Sequence, residues 1–96
     1  MIATWSNLPA CRKAKDILFN SGRALDAVEQ GVKVVEADPE NTTVGIGGSP
    51  DRDGDVTLDA CIMDEKGNAG SVCYLKNIQH PISVARKVME LSLIHI

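Results

Sequence analysis

The chain has 96 residues, a formal net charge of −3, 44% hydrophobic residues and 24% charged residues. This is the composition of a globular chain of one domain or less, and it excludes a disordered, collagen-like or coiled-coil protein. A single Trp, Tyr and Phe and no excess of Lys and Arg argue against a nucleic-acid binder.

The first half of the chain predicts a strand followed by two helices. Residues 1–6 are short, β-branched and aromatic, which favours a strand. After the helix-entry signal of Pro9, apolar residues at helical spacing predict an amphipathic helix over residues 10–20. A second apolar stripe predicts a helix over residues 24–37. Gly31 lies in its middle, where we expect another element to pack closely.

The second half predicts a hairpin and a third helix after a long loop over residues 38–55. Residues 56–64 alternate in polarity and become apolar on both faces near their end, which predicts a strand buried on both sides. Residues 70–75 form the antiparallel return strand, and a helix begins at His80-Pro81. The predicted fold class is α+β, with the order β-α-α-β-β-α.

The spacing of the cysteines matches no metal-binding or redox motif. Cys11, Cys61 and Cys73 include no C-x-x-C pair, and buried free thiols are the simplest interpretation. A disulfide depends on the hairpin register. A three-residue loop over residues 66–68 places Cys61 opposite Cys73, whereas a two-residue loop at Lys66-Gly67 does not.

None of the other short motifs in the sequence indicates a catalytic reaction or a bound ion. Residues 51–55 begin like a calcium loop, but Val56 and Ile62 stand where the required Gly and Glu would be. The glycines of residues 45–48 precede a strand rather than a helix, so a tight turn with positive φ is expected there instead of a phosphate site. Neither His80 nor His95 has ligand partners at metal-binding spacing. No metal and no cofactor are therefore expected. Asp26 and Glu29 lie in the first turn of the second helix, where negatively charged side chains interact favourably with the helix dipole.

Several segments together resemble the N-terminal part of the glycosylasparaginase (aspartylglucosaminidase) family of N-terminal-nucleophile hydrolases. The similarity extends from about Ile2 to Glu90, and the order and spacing of the motifs make it specific. The segments are Thr4-Trp5, Ala24-Leu25-Asp26-Ala27-Val28-Glu29-x-Gly31, Val44-Gly45-x-Gly47-Gly48, Pro50-Asp51, Thr57-Leu58-Asp59-Ala60-x-Ile62-Met63-Asp64 and Ile82-x-Val84-Ala85-Arg86-x-Val88-Met89-Glu90.

The resemblance implies a four-layer αββα sandwich and an inactive precursor that cleaves itself before a Thr. That Thr becomes the N-terminal nucleophile of a second subunit, the C-terminal β-subunit, and its own amine acts as the base. The substrate is a glycosylated asparagine, the products are aspartate and an aminosugar, and the complete enzyme is an (αβ)2 assembly. No catalytic residue of the family matches a position in this chain, so the chain alone is expected to be inactive.

The resemblance carries over three candidate site residues. Trp5 matches a Trp that lines the substrate pocket near the cleavage site, and Thr4 precedes it. Thr43 aligns where the family often has a Ser whose hydroxyl contacts the amine of the nucleophile. Asp59 lies in the shared Leu-Asp-Ala motif, and its expected role is structural.

Two departures from the family set the predicted domain limits. Residues 1–90 correspond to an incomplete N-terminal part of the domain, whereas residues 91–96 diverge and are expected to be a foreign or truncated tail. Met1 falls at an interior position of the family's first strand. Family members are often periplasmic or lysosomal, but the sequence opens with no signal peptide and contains no membrane segment, so its location stays open.

Two alternative interpretations remain. The related isoaspartyl peptidases and plant-type asparaginases typically have a His-Gly-Gly-Ala-Gly start where Thr4-Trp5 stands here, so Trp5 favours a glycosylasparaginase. The other alternative is a non-catalytic remnant. The sequence beyond residue 96 distinguishes them, because both enzymes require a downstream cleavage site of His-Asp-Thr type.

Overall fold

The computed structural model describes residues 3–95, which form three helices and one hairpin. Helix α1 spans Leu8–Phe19 and helix α2 spans Ala24–Glu36. After a turn of 3₁₀ helix at Gly45–Gly47, strand β1 spans Leu58–Met63, strand β2 spans Ala69–Leu75, and helix α3 spans Pro81–His95. The α+β class, the three helices and the antiparallel hairpin are confirmed. None of the helices in the described residues is long and apolar enough to cross a membrane.

The strand predicted over residues 1–6 is wrong for the part that the structure describes. Residues 3–6 form bends and coil, and Met1 and Ile2 lie outside the described residues. The β-branched and aromatic side chains favour extended backbone, but a strand also needs a hydrogen-bonded neighbour. The sheet of the described residues contains β1 and β2 alone.

Small residues let α1 and α2 pack closely. Ala14 and Ala27 are buried, and so is Gly31. A Cβ added at Gly31 would lie 3.1 Å from the carbonyl oxygen of Ala10 and 3.4 Å from Ala14 Cβ. The close packing expected from a mid-helix glycine is therefore present. Asn7 begins α1, because its side chain accepts a hydrogen bond from Ala10 N–H at 3.0 Å.

The main core lies between α3 and one face of the hairpin. It consists of Leu25, Ile62, Ile82, Ala85 and Met89, with Ala60 and Val72 packed against it. Gly70 pairs with Ile62 and is itself buried. Its lack of a side chain lets the backbone of α3 approach β2 directly.

The other face of the hairpin is exposed, so the prediction that the first strand is buried on both sides is wrong for this chain. Alternate residues of a strand point to opposite faces, and α3 covers one face only. We call the uncovered side the open sheet face. Its residues are Asp59, Cys61, Met63, Ala69, Ser71 and Cys73, all of them exposed.

The hairpin register separates the two cysteines. Met63 pairs with Ala69 and Cys61 pairs with Ser71, so neither of the two predicted loops is formed. Asp64 organises the turn instead, because its Oδ1 accepts hydrogen bonds from Lys66 N–H and Asn68 N–H, each at 2.9 Å. In the described residues Cys11, Cys61 and Cys73 are all free thiols, but Cys61 and Cys73 are exposed and Cys11 is half-buried, so the expectation that they are buried is wrong.

Asp59 has the structural role that was expected of it. A bulge interrupts the pairing between Leu58 and Ala60, opposite Tyr74. Tyr74 has a φ of 59°, which is unfavourable for a residue with a side chain. The side chain of Asp59 accepts a hydrogen bond from Tyr74 N–H at 2.9 Å and thereby stabilises this backbone conformation.

Candidate functional site

Two adjacent clefts lie beside α1 and α2, and Trp5 lines both. The first, here called the Trp5–Thr43 cleft, has a volume of about 360 Å³. Its lining residues are Trp5, Ser6, Asn7, Val32, Val35, Asn41, Thr43 and Val44. The second, of about 330 Å³, runs along the groove between the helices and includes Thr4. The fold thus brings Trp5 and Thr43 to one cleft, with Thr4 beside it.

Trp5 stands outside the core, with 77% of its surface exposed. The segment before α1 holds it there, since Asn7 anchors the start of that helix and also lines both clefts. Val32 and Val35 of α2 complete an apolar wall. An exposed indole beside such a wall can pack against the apolar part of a ligand while its N–H donates a hydrogen bond.

Asn41 organises the loop that carries Thr43. Its Oδ1 accepts three hydrogen bonds, from Thr43 N–H at 3.0 Å, Thr43 Oγ1 at 3.0 Å and Val44 N–H at 3.1 Å. Sequence reasoning passed over Asn41. Its position two residues before Thr43 could have indicated this role, because an Asn side chain commonly accepts a hydrogen bond from the backbone N–H two residues later in the chain.

Glu36 joins three parts of the fold at the end of α2. It is 1% exposed, and its carboxylate accepts hydrogen bonds from Ile82 N–H at 3.0 Å and from His80 Nδ1 at 3.3 Å. Burial raises the pKa of Glu36, and the two hydrogen bonds oppose this shift. Gly45, with a φ of 70°, packs directly on the backbone of Glu36, where a Cβ would clash. Glu36 therefore links α2 to the start of α3 and to the loop of Thr43.

We expect Glu36→Ala to lower the free energy of unfolding by about 2 kcal/mol, because Ile82 N–H then loses its partner in a buried position.

Glu36→Gln keeps a hydrogen-bond acceptor without the buried charge. Since the raised pKa means that ionisation of Glu36 opposes folding, the contribution of Glu36 to the stability of the parent chain should fall as pH rises from 4.5 through the folded-state pKa. Glu36→Gln should lack this fall and be at least as stable as the parent at pH 7. Urea unfolding followed by circular dichroism, at concentrations too low for association, measures both. Equal stability of all three chains would contradict this role.

A charged cluster joins α2 to α3 a few helical turns away from Glu36. Arg86 donates to Asp26 at 2.7 Å, to Glu29 at 3.0 Å and to Glu90 at 2.7 Å. Its hydrogen bond holds the pKa of Asp26 below the usual range, and the bonds to Glu90 and Asp26 raise the pKa of Arg86. Asp26 and Glu29, predicted to complement the helix dipole, therefore have a cross-helix role that sequence spacing alone did not indicate.

The described residues hold no complete hydrolytic site. Among the side chains that the structure describes, those of residues 3–92, His80 bonds Glu36, and no hydroxyl or thiol is hydrogen-bonded to a histidine. No group of three or more potential metal-ligating side chains was found in that same part of the chain. The Trp5–Thr43 cleft offers an apolar wall and an oriented hydroxyl, which can bind and position a ligand but supply no nucleophile with its base.

Comparison with known proteins gives a consistent result. Residues 3–94 match the family described as Asparaginase. The chain is 57% identical over 94% of its length to an N(4)-(Beta-N-acetylglucosaminyl)-L-asparaginase of Elizabethkingia miricola, covering 27% of that protein. It is 45% identical to the mouse protein of the same name, again over 94% of the chain and 26% of the relative. An isoaspartyl peptidase/L-asparaginase of Rattus norvegicus is 43% identical over 84% of the chain and 24% of its own length. The chain thus spans about a quarter of the length of these relatives.

Proposed function

Since the chain belongs to the asparaginase family, we propose that it is the N-terminal part of an N4-(β-N-acetylglucosaminyl)-L-asparaginase. Such an enzyme is an amidohydrolase that cleaves the amide between the sugar and the asparagine side chain. The observation that carries this proposal is the 57% identity to a glycosylasparaginase over 94% of the chain. Trp5, which lines the cleft, gives it structural support.

The proposed reaction requires the rest of the enzyme. The precursor cleaves itself, and the Thr at the start of the C-terminal β-subunit attacks the substrate carbonyl through its hydroxyl. The α-amine of that Thr accepts the hydroxyl proton and passes it to the departing aminosugar, and water then releases aspartate from the acyl-enzyme. The present chain contributes the Trp5–Thr43 cleft, with Trp5 and Thr4 against the substrate and Thr43 against the amine.

The open sheet face supports the proposed architecture. In a four-layer αββα sandwich each sheet has helices on its outer side and a second sheet on its inner side. Here α3 covers one face of the hairpin, and the face with Cys61 and Met63 is exposed, which supports a second sheet on that side. We propose that the β-subunit supplies that sheet and that the complete enzyme is an (αβ)2 assembly. In this proposal residues 1–90 are the shared domain, and residues 91–96 are its divergent tail.

We expect Trp5→Ala in the full-length protein to lower both the rate of self-cleavage and kcat/KM, each by about tenfold, because an apolar contact in the pocket is lost. Phe19→Ala is the matched control. Phe19 is 76% exposed against 77% for Trp5, but it lies on α1 outside the Trp5–Thr43 cleft. Mass spectrometry and steady-state kinetics measure the two rates. Unchanged rates in Trp5→Ala would remove this residue from the site.

A substrate panel tests the proposed function against its alternatives. The full-length protein should hydrolyse a glycosylasparagine faster than asparagine or a β-aspartyl dipeptide. Preference for the β-aspartyl dipeptide would favour an isoaspartyl peptidase, the activity named for the rat relative. No hydrolysis of any of the three would favour a non-catalytic remnant.

A further inference from the structure

The hydrogen bonds around Asn41 fix the direction in which the Thr43 hydroxyl points its proton. Backbone N–H groups only donate, so the Asn41 atom that meets both Thr43 N–H and Val44 N–H must be the amide oxygen. That oxygen carries no hydrogen. The Thr43 hydroxyl, 3.0 Å from the same atom, must therefore donate its own proton to Asn41.

This arrangement leaves Thr43 Oγ1 only as an acceptor for any further partner, because a hydroxyl has one proton and two lone pairs. Thr43 is exposed and lines the Trp5–Thr43 cleft together with Asn41. A group that approaches the hydroxyl from the cleft consequently has to be a hydrogen-bond donor, such as an amine.

We propose that Asn41 is a positioning residue for the catalytic base: it holds the proton of Thr43 and so keeps the lone pair of the nucleophile's amine free. The inference rests on the proposed function, in which Thr43 contacts that amine. A neutral amine has two N–H donors and one lone pair. When Thr43 accepts from an N–H, the lone pair is free to take the proton of the nucleophilic hydroxyl. A Thr43 hydroxyl that instead donated its proton to this lone pair would block the base.

Two substitutions at Asn41 should move the acidic limb of the pH profile in opposite directions. In Asn41→Ala the Thr43 hydroxyl loses its acceptor and turns its proton to the neutral amine. The amine pKa and the acidic limb of kcat/KM then fall by about half a unit, and kcat falls by about tenfold.

In Asn41→Asp the carboxylate keeps the three hydrogen bonds and adds a negative charge. The acidic limb should then rise, with most of kcat retained. A purely structural role would not reverse the sign.

Two controls distinguish an effect of Asn41 on Thr43 from general disruption of the loop. Asp51 has a similar local role in the same long loop, since its Oδ1 accepts from Asp53 N–H and Asp55 N–H, but it does not line the Trp5–Thr43 cleft. Asp51→Ala should leave the pH profile unchanged. Asn41→Ala in a Thr43→Val background should cause no further shift of the acidic limb, because the effect of Asn41 acts through Thr43.

The experiment measures pH profiles of the full-length protein on a glycosylasparagine, together with residue-resolved hydrogen exchange of Thr43 and Val44. Asn41→Ala should speed exchange of both amides by about tenfold, and Asn41→Asp should not. Unchanged exchange in Asn41→Ala overturns the orientation of Thr43, whatever the activity. Shifts of the acidic limb in the same direction for both variants overturn the role in catalysis. A parent protein that lacks activity while its exchange is as expected overturns the proposed function, and the role of Asn41 in the base falls with it.

Discussion

Residues 1–96 expressed alone should show no hydrolysis of glycosylasparagine and should associate in solution. Amide hydrolysis of this type needs a nucleophile, a base and an oxyanion site held together, and the described residues contain no such set. Association follows from the open sheet face, where Met63 is 64% exposed, and from the unpaired edges of a two-stranded sheet.

Paired variants locate the surface responsible for association. Size exclusion in reducing buffer should show oligomers for the parent chain and mainly monomer for the double variant Cys61→Ser, Met63→Lys. Phe19→Lys, which places the same charge on the exposed side of α1, should leave the oligomers intact. A monodisperse parent monomer that hydrolyses the substrate would show that the chain carries its own active site, and the proposal that it is part of a larger enzyme would have to be dropped.

The second large effect is expected at Gly70, where helix α3 rests on the sheet. A Cβ at this position would lie 2.7 Å from Met89 N and 2.9 Å from Met89 Cβ, and it would also clash with the carbonyl oxygen of Ala85. These are mostly backbone atoms of a helix, which cannot move aside as a flexible side chain can. Gly70→Ala should therefore separate α3 from the hairpin and cost about 3 kcal/mol of unfolding free energy.

Ser71→Ala is the control for Gly70→Ala, because Ser71 is the next residue of the strand and points to the open sheet face. It should change stability by less than about 0.5 kcal/mol. Urea unfolding under dilute conditions compares the two variants with the parent. Equal stability of Gly70→Ala and Ser71→Ala would mean that α3 does not rest on the backbone at Gly70.

The helices and the hairpin were predictable because their signals are local. The apolar stripes of α1 and α2 and the Pro at the start of α3 each specify an element without knowledge of the rest of the fold. The first strand was not predictable in the same way. Its residues favour extended backbone, but only a neighbouring strand makes extended backbone a sheet, and residues 3–6 have no such neighbour among the described residues.

The candidate site was only partly visible in the sequence. Trp5, Thr4 and Thr43 came from the family resemblance, and their roles stay predictions. Asn41 could have been found from its spacing to Thr43. Glu36 could not, because its partners His80 and Ile82 lie far along the chain and meet it only after α2 and α3 have packed.

Whether this chain is part of a self-cleaving amidohydrolase is tested most directly by the intact mass of the purified full-length protein, combined with N-terminal sequencing of its pieces. We expect two polypeptides, the first containing the present chain and the second beginning with Thr. Hydrolysis of glycosylasparagine should appear in step with this cleavage. A single uncleaved polypeptide that hydrolyses the substrate, or a cleaved protein whose second piece does not begin with Thr, would contradict this proposal.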